Sequence, residues 1–598
     1  MLASLRPCFI LLIASILTAC SSTAPNTLGE LPRTPQASIE QLLKQAESSK
    51  PEQANNLRLS AADMAFKQGN NALTATILEQ VDLTTLKPAQ QVFAATLSAE
   101  LALKNKQPKR ALNALQHPAF ERLAELPIEQ QIRSQLAKAQ ALEATGNTLS
   151  AARERVFIAP LLSGQQANDN HQRIWALVSS LPPDTHAEPN SDLAGWLALA
   201  QTSKQSATLA QQKSAIDQWV SANAQHPAAV QLPQALIKIR ELADQPLNQI
   251  ALLLPQEGPL ANAARALRDG FLAAYYNAND ATQIKLYDSS RIGSMDAFYQ
   301  QAQKDGIQLV IGPLEKPLVT QLNARTELPI TTLALNYSDN SQNGPAQLFQ
   351  FGLSSEDEAR EAARRAWADG MRRAVALTPV GDWGNRTLAA FRQEWQHLGG
   401  ELLGSERIDR PVDLAGQIAD LFQLRESEAR ARRLQNTLGT EVEASPTRRQ
   451  DVDFIFLAAT PQQAQQIKPT LAFQYAGDIP VYATSQLFTG PHALPHYKDL
   501  EGIRFSETPW LLNPQDPLRQ QISQQSPQAD TALGRLYAMG ADAYLLSTRL
   551  TQLKALPDFN LDGLTGKLSL NSLQRVERSL PWAEFQGGQI QPLPTPLY

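Results

Sequence analysis

The chain has 598 residues, of which 43% are hydrophobic and 19% charged, and its formal net charge is −5 at pH 7. This length is enough for several domains, and the composition is that of a globular protein, not of a disordered or fibrous one. The slightly acidic balance gives no overall attraction to phosphate backbones, which argues against nucleic acid as a partner.

The N-terminus has the pattern of a cleaved secretion signal that ends at a cysteine. Arg6 precedes an apolar run from Phe9 to Leu17. The run is shorter than the roughly 20 residues of a membrane-spanning helix, but it suits the core of a signal peptide. Leu17, Thr18 and Ala19 then lead to Cys20, which resembles a bacterial lipobox. We predict a lipoprotein signal peptide at 1–19 and lipidation of Cys20; the alternative is a plain signal peptide with an incidental cysteine.

The cysteine count agrees with lipidation. Cys8 lies within the predicted signal, so the mature chain keeps Cys20 alone and forms no disulfide within the chain. The lipobox resemblance implies a diacylated cysteine, and two or more acyl chains anchor a protein stably to a membrane surface. Residues 20–36 are polar and proline-containing, as in a flexible tether. Ser21, in place of an Asp, resembles the default for sorting to the periplasmic face of the outer membrane.

Residues 37–244 are rich in Ala, Leu and Gln, with apolar residues three and four positions apart. The segments AADMAFKQGN, SAELALKNKQP and AKAQALEATGN end at intervals of roughly 37 to 40 residues, a period that indicates paired helices stacked as a solenoid. The pattern is similar to loose tetratricopeptide repeats, and an irregular helical bundle is the alternative. This half holds no cluster of His, Cys and carboxylates.

A short hinge is predicted at 245–249, and the pattern then changes to alternating strands and helices. QIALLLP (249–255) and IQLVIGPL (307–314) are typical of buried strands, and each precedes a helical segment. A second set of such units includes RRAVALTPV (372–380) and VDFIFLAAT (452–460). Two sets of βαβ units predict an α/β domain with two lobes over 250–598, similar to the type I periplasmic-binding-protein fold.

One stretch within this domain, residues 412–451, is too long for a standard crossover helix. Glu426 and Glu428 stand four residues before Arg430 and Arg432, a spacing that favours an exposed helix. We interpret the stretch as a helical insertion outside the core, either a solvated extension or a docking arm for a partner protein.

In two-lobed α/β proteins, ligands bind where loops leave the carboxyl ends of the strands. Helix N-termini at such an edge can bind a carboxylate or a phosphate, but the fold is often kept without a ligand. The sequence therefore leaves open whether the cleft between the lobes holds one. The residues predicted to line this cleft are Gln256, Gly258, Pro259, Gly312, Pro313, Leu335, Asn336, Pro379, Gly381 and Asp382.

The sequence offers no catalytic constellation. Acyl transfer of the penicillin-binding type needs S-x-x-K, S-D-N and K-T-G together. Ser338-Asp339-Asn340 supplies the second of these, but the chain has no S-x-x-K, so we interpret the tripeptide as a turn. His492 and His496 stand four apart, but prolines at 491 and 495 break a helix there and no third zinc ligand is evident. We predict no enzymatic activity, no cofactor and no metal site.

A lipobox, a helical-repeat half and a two-lobed α/β half together resemble the LpoA family of outer-membrane lipoproteins, which activate a class A penicillin-binding protein. The resemblance implies that the protein binds this bifunctional peptidoglycan synthase, stimulates its transpeptidase activity and so supports cell wall biogenesis and cell shape. The alternative is a periplasmic receptor or sensor that binds a small ligand in the cleft. The segments that carry the resemblance are VIGPLEKPLVTQL (310–322), GLSSEDEAREAA (352–363), TPVGDWGNR (378–386), RLYAMGADAY (535–544) and LDGLTGKLSL (561–570).

Overall fold

The structure is a computed structural model of the chain. The predicted signal peptide, Cys20, Asn340, His492 and His496 lie outside the residues that it describes. Within the described part of the chain, no helix is both long and apolar enough to cross a bilayer. The described residues are 27–32, 36–182, 184–206, 208–244, 247–339, 342–438, 447–491, 497–556 and 559–594.

The chain divides into two compact units. The described residues up to 201, together with 220–233, form the first unit, and 202–219 with the residues from 234 onward form the second. The predicted hinge at 245–249 falls inside the second unit, where the first strand already begins at Gln249 and residues 245 and 246 are outside the described part. The domain boundary at 244 stays a prediction.

The first unit is helical, as the apolar spacing predicts. Four of its helices begin with a proline at the first helical position, where a backbone N–H would have no acceptor within the helix. Its core is built from small and aliphatic side chains such as Leu59, Ala62 and Leu97, all fully buried. The helices are α1 (Ile39–Glu47), α2 (Pro51–Lys67), α3 (Asn71–Glu79), α4 (Pro88–Lys104), α5 (Pro108–Ala114), α6 (Ile128–Ala144), α7 (Thr148–Ile158), α8 (Gly164–Ser180), α9 (Asp192–Gln205), α10 (Leu209–Ala222) and α11 (Pro227–Val230), of which α9 and α10 extend into the second unit.

After residues 202–219, the second unit continues with α12 (Gln234–Ala243) and a first lobe, whose sheet has the order β2-β1-β3-β4-β5 with every neighbouring pair parallel. Parallel strands need crossover helices, which cover the sheet and explain why β1 and β3 are buried along almost their whole length, whereas the edge strand β2 is partly exposed. The elements are β1 (Gln249–Leu254), α13 (Ala261–Asn277), β2 (Gln283–Asp288), α14 (Met295–Lys304), β3 (Leu309–Ile311), α15 (Lys316–Asn323), β4 (Thr331–Ala334) and β5 (Leu348–Gln350).

The second lobe has a seven-stranded sheet of order β15-β14-β10-β9-β8-β6-β7. Its first five strands along the chain pair in parallel, and a C-terminal antiparallel hairpin extends one edge. The α/β class with two lobes is therefore confirmed. The elements are α16 (Ser355–Ala368), β6 (Arg373–Pro379), α17 (Asp382–His397), β7 (Glu401–Ile408), α18 (Pro411–Leu421), α19 (Leu424–Leu438), β8 (Phe454–Leu457), α20 (Pro461–Phe473), β9 (Val481–Ala483), β10 (Ile503–Ser506), α21 (Pro509–Leu512), α22 (Pro517–Gln525), β14 (Trp582–Gln586) and β15 (Gln589–Leu593).

Two further features connect the lobes: α23 (Gly534–Ala555) and a small antiparallel sheet of β11 (Leu561–Asp562), β12 (Lys567–Leu570) and β13 (Val576–Ser579). The helix contributes Tyr537 and Ala538 to the apolar core of the second lobe, and Met539 and Leu550 to that of the first. It is therefore a shared structural element of both lobes.

The predicted insertion at 412–451 is only partly an appendage. Leu414 and Ile418 on α18 are buried in the core of the second lobe, because this helix is the crossover that follows β7. The expectation that the whole stretch stands outside the core is wrong for this helix. On α19, the Arg432 guanidinium lies 3.9 Å from the Glu428 carboxylate, and both side chains are exposed, as their spacing predicts. Residues 439–446 lie outside the described part.

Candidate functional site

The second unit contains a polar cavity of about 580 Å³ between its two lobes. Three elements form its walls: the loop after β4 in the first lobe, the N-terminal half of α16 in the second, and the β12–β13 hairpin of the connecting sheet. The volume falls within the range of pockets that bind small molecules. We call this space the inter-lobe cavity.

The first lobe contributes Asn336, Tyr337, Ser338, Asp339 and Lys316 to the inter-lobe cavity. The side-chain amide of Asn336 donates to the carbonyl of Leu314 at 3.0 Å, which fixes the turn after β4. The Tyr337 hydroxyl donates to the carbonyl of Val576 at 2.8 Å and so ties this wall to β13. Across the rim, the Lys316 ammonium lies 2.5 Å from the Asp339 carboxylate.

The second lobe presents the beginning of α16. The Ser354 hydroxyl caps the helix by accepting from the Asp357 amide at 3.3 Å. The carboxylate of Asp357 accepts from Arg360 at 2.6 Å, yet burial raises the pKa of Asp357 above its usual range, against the opposing influence of Arg360 and Arg578. Burial would also raise the pKa of Glu356, but the hydrogen bonds from Arg386 at 2.6 Å and Ser354 at 2.9 Å, together with the Arg386 charge, contribute to a net lowering of the pKa.

The connecting sheet supplies the third wall through β13 and the turn before it. Residues alternate along this strand, so Val576 and Arg578 are buried while Glu577 is exposed and accepts from the Asn571 amide at 2.9 Å. The Arg575 guanidinium lies 5.7 Å from the centre of the Tyr337 ring and 3.4 Å from the carbonyl of Ser338. The hairpin thus carries two arginines into a space bounded by both lobes.

Arg578 is the most enclosed of these cations, with a side chain that is 1% exposed. Its Nη1 donates to the carbonyl of Thr565 at 3.3 Å. Its Nη2 lies 4.0 Å from Oε1 of Glu358, beyond hydrogen-bond distance. Both Nε and Nη2 are buried without a hydrogen-bond partner among the described residues.

The predicted cleft residues do follow the carboxyl ends of β1, β3, β4 and β6, but two of the ten line a cavity. Asn336 lines the inter-lobe cavity, and Gln256 lines a separate one beside Arg265 and Arg268. The Gln256 amide donates to Asp288 at 3.0 Å. The remaining eight, Gly258, Pro259, Gly312, Pro313, Leu335, Pro379, Gly381 and Asp382, line neither cavity.

Several of these eight residues shape the backbone instead. Gly312 has φ 114° and donates to the carbonyl of Leu333 at 2.8 Å; a Cβ there would lie 2.0 Å from the carbonyl oxygen of Leu253, so only glycine fits. Leu335 is buried in the apolar core and donates its amide to the carbonyl of Pro313 at 3.0 Å. Gly381, at φ 107°, precedes α17 and allows the turn out of β6.

The charged residues of the cavity are absent from the sequence predictions. The segment SSEDEAREAARR (354–365) carries the one local signal, a serine cap followed by arginines at 360 and 364, four apart and so on one helix face. No comparable signal marks Arg575 and Arg578, because their place depends on where the C-terminal hairpin returns in the fold.

The arrangement is suited to electrostatic binding of a polar group. Across the described ranges, there is no group of three or more His, Cys, Asp or Glu side chains placed to hold a metal ion. Ser338 of the S-D-N tripeptide donates its backbone amide to the side chain of Gln350 at 2.8 Å, a contact that fixes the local backbone.

Comparisons with known proteins give a consistent assignment over nearly the whole chain. A family model described as "LppC putative lipoprotein" matches residues 32–588. The penicillin-binding protein activator LpoA of Photobacterium profundum is 29% identical over 595 residues, which cover 97% of this chain and 96% of the relative. The penicillin-binding protein activator LpoA of Pasteurella multocida is 31% identical over 553 residues, covering 90% and 89%.

Among solved structures, LpoA of Haemophilus influenzae matches with a TM-score of 0.54 and 26% sequence identity. The match covers 95% of this chain and 99% of that one. The similarity therefore includes both the helical unit and the two-lobed unit.

Proposed function

The chain belongs to the LppC lipoprotein family, and we propose that it binds a class A penicillin-binding protein and stimulates its transpeptidase activity. One observation carries the proposal: the similarity to proteins named penicillin-binding protein activators runs end to end, over 97% of this chain and 96% of the Photobacterium relative. Activation of another enzyme is a binding function, so the chemistry of cross-linking belongs to the synthase and no side chain of this protein takes part in it.

We further propose that the protein acts from the periplasmic face of the outer membrane, held there by acyl chains on Cys20. The lipoprotein family supports an envelope location, and Ser21 after the predicted lipidated cysteine supports the outer membrane over the inner one. Attachment to a surface that faces the synthase raises the effective concentration of each protein at the other without a new contact.

The test is a cross-linking assay with purified components. The chain from residue 21 onward, made without its lipid, is added to a class A penicillin-binding protein that is polymerising its substrate. We expect the fraction of cross-linked muropeptides to rise with the concentration of the added protein and then to saturate. Penicillin added to the same mixture should abolish the increase, because the transpeptidase serine that it blocks is in the synthase.

Two controls make the result specific. A transpeptidase of another class should show no increase under the same conditions, and the added protein alone should cross-link nothing. Failure to bind or stimulate any class A synthase, together with turnover of a cell-wall substrate by the added protein alone, would contradict the proposal.

A further inference from the structure

Arg578, at the wall of the inter-lobe cavity, has two nitrogen donors without a hydrogen-bond acceptor among the described residues. A guanidinium carries five N–H donors in a fixed fork, and here the Nη1 donates at 3.3 Å to Thr565 while Nε and Nη2 have no hydrogen-bond partner among the described residues. A buried cation is costly unless it is paired and hydrogen-bonded. Within the described part of the chain, Nε and Nη2 of Arg578 therefore lack the hydrogen-bond acceptor that would offset the cost of their burial.

The nearby carboxylates are already occupied by other donors. Glu358 accepts from the amide and hydroxyl of Ser485 at 2.9 and 3.0 Å, which leaves it 4.0 Å from Arg578. Asp542 accepts from the amides of Leu564 and Thr565, each at 2.7 Å. Asp357 accepts from Arg360 at 2.6 Å. None of these side chains fills the acceptor position on Arg578.

The cavity as a whole also has an excess of positive charge. Six basic and four acidic side chains line it, and three of the acids, Glu356, Asp339 and Asp357, are paired with Arg386, Lys316 and Arg360. The excess attracts an anion into the cavity, and low-dielectric walls strengthen that attraction. The six basic residues are Lys316, Arg360, Arg364, Arg386, Arg575 and Arg578.

We propose that the inter-lobe cavity binds a small polar carboxylate whose acid group is held by Arg578. Arginine matches carboxylate geometry with two parallel hydrogen bonds, and Nε and Nη2 of Arg578 are buried donors without a partner among the described residues. A carboxylate fits better than a phosphate dianion, because Glu356 and Asp357 face the same space and would repel a second negative charge. The volume of about 580 Å³ accommodates a molecule larger than the acid group, and Asn336 and Asn571 also line the space.

The experiment measures binding to the whole chain from residue 21 onward, without any synthase, so its result is independent of the proposed activation. Succinate, L-glutamate, D-glutamate and inorganic phosphate are titrated by calorimetry and by thermal unfolding. We expect saturable binding and a higher Tm with at least one carboxylate. Saturation by phosphate in place of every carboxylate would overturn the proposal, as would the absence of carboxylate binding at millimolar concentrations.

Two variants assign the binding to Arg578. Arg578→Gln should weaken the carboxylate by at least about tenfold, the effect of losing one charged hydrogen-bond partner. Arg578→Lys keeps the positive charge but loses the planar guanidinium that can donate two parallel hydrogen bonds, so it should also weaken binding. This variant supplies the test if Arg578→Gln fails to fold. Arg410→Gln, an exposed arginine that pairs with Asp413 on the second lobe, is the matched control and should bind like the wild type. Unchanged affinity in both Arg578 variants would overturn the proposal.

Discussion

Arg535 and Glu507 form a buried salt bridge that joins the long helix α23 to the end of β10. Nη2 of Arg535 lies 2.6 Å from Oε2 of Glu507, and its Nε lies 3.1 Å from Oε1, so the pair is bidentate. The Glu507 side chain is fully buried. The same Nη2 also donates to the carbonyls of Ser485 and Phe488 at 2.8 and 2.7 Å. Arg535 thus binds one buried carboxylate and two backbone carbonyls.

Removing the charge of one partner should destabilise the folded protein far more than the small change in the side chain suggests. We expect Glu507→Gln to lower the free energy of unfolding of the second unit by about 3–5 kcal/mol, because it removes the carboxylate that is hydrogen-bonded to the buried Arg535 charge. Urea unfolding followed by tryptophan fluorescence measures the loss, and Trp510, buried close to the cluster, reports on it.

The control for that measurement is a glutamate-to-glutamine substitution at an exposed position on a helix. Glu426→Gln on α19 changes an exposed carboxylate and should alter stability by less than about 0.5 kcal/mol. If the two variants unfold at the same urea concentration, the salt bridge does not stabilise the unit as its geometry indicates.

A second prediction concerns the crossing of α13 and α23. An added Cβ at Gly270 would lie 2.0 Å from the carbonyl oxygen of Tyr537, and one at Gly540 would lie 2.0 Å from that of Leu267. Each glycine thus lets the backbone of the other helix approach closely. We expect Gly270→Ala and Gly540→Ala each to cost at least about 1–3 kcal/mol, since the helices must separate to admit the methyl group.

Thermal unfolding of each alanine variant tests the crossing. Gly293→Ala is the matched control, because no atom lies within 4 Å of a Cβ built there and its φ is ordinary. We expect this variant to unfold within a few degrees of the wild type. Equal Tm values for all three variants would show that the close approach is not needed for stability.

The sequence predicts the individual strands and helices of the two-lobed unit better than the contacts between them. QIALLLP gives β1 within one residue, because a run of aliphatic residues that ends at a proline has few other structures open to it. A helical segment is also predicted after it, and the structure has a helix there that begins at Ala261. By contrast, the glycines at 270 and 540 carry no sign in the sequence that they face each other across 270 residues of chain.

The cavity is the least predictable feature for the same physical reason. Its walls come from contacts between distant segments: Arg575 meets Ser338 although the two are 237 residues apart. Local periodicity predicts which face of a helix is buried, but Glu358 shows its limit. This glutamate is buried with a pKa raised by that burial, while Glu356, two residues before it, lines the cavity. The carboxylate of Glu358 is hydrogen-bonded by Ser485, which is 127 residues away in the chain, so local periodicity does not reveal the difference.

A pH-dependent contribution to stability is expected at Asp453, just before β8. Its carboxylate accepts from the amides of Arg372 and Arg373 at 3.0 and 2.9 Å and from the Arg373 guanidinium at 3.1 Å. Burial alone would raise the pKa of Asp453, but these hydrogen bonds outweigh it and lower the pKa below its usual 3.8. A lowered pKa means that the ionised form of Asp453 stabilises the folded state. This stabilisation is fully present above the pKa that Asp453 has in the unfolded chain, and it is lost as the pH falls through the lower pKa of the folded state.

Asp453→Asn should therefore cost about 1–2 kcal/mol near pH 7, the value of its hydrogen bonds to a charged acceptor. The difference from the wild type should shrink as the pH falls below about 4, where the wild-type carboxyl also becomes neutral. Denaturant unfolding at a series of pH values measures both quantities. Asp499→Asn, at an exposed position, supplies the control, and a difference at Asp453 that is constant with pH would contradict the assignment.

The last prediction separates anchoring from activation. Cys20→Ser removes the thiol on which acyl chains are expected, and stable membrane attachment needs at least two such chains. We expect the variant to leave the outer-membrane fraction on cell fractionation and to take up no labelled palmitate, whereas Cys8→Ser, which changes the other cysteine of the chain within the predicted signal, should remain anchored there. Purified Cys20→Ser protein should still stimulate the synthase in solution, because the proposed binding surface lies in the folded units and the lipid supplies only proximity. A Cys20→Ser protein that stays in the outer-membrane fraction would show that something other than this cysteine holds it there.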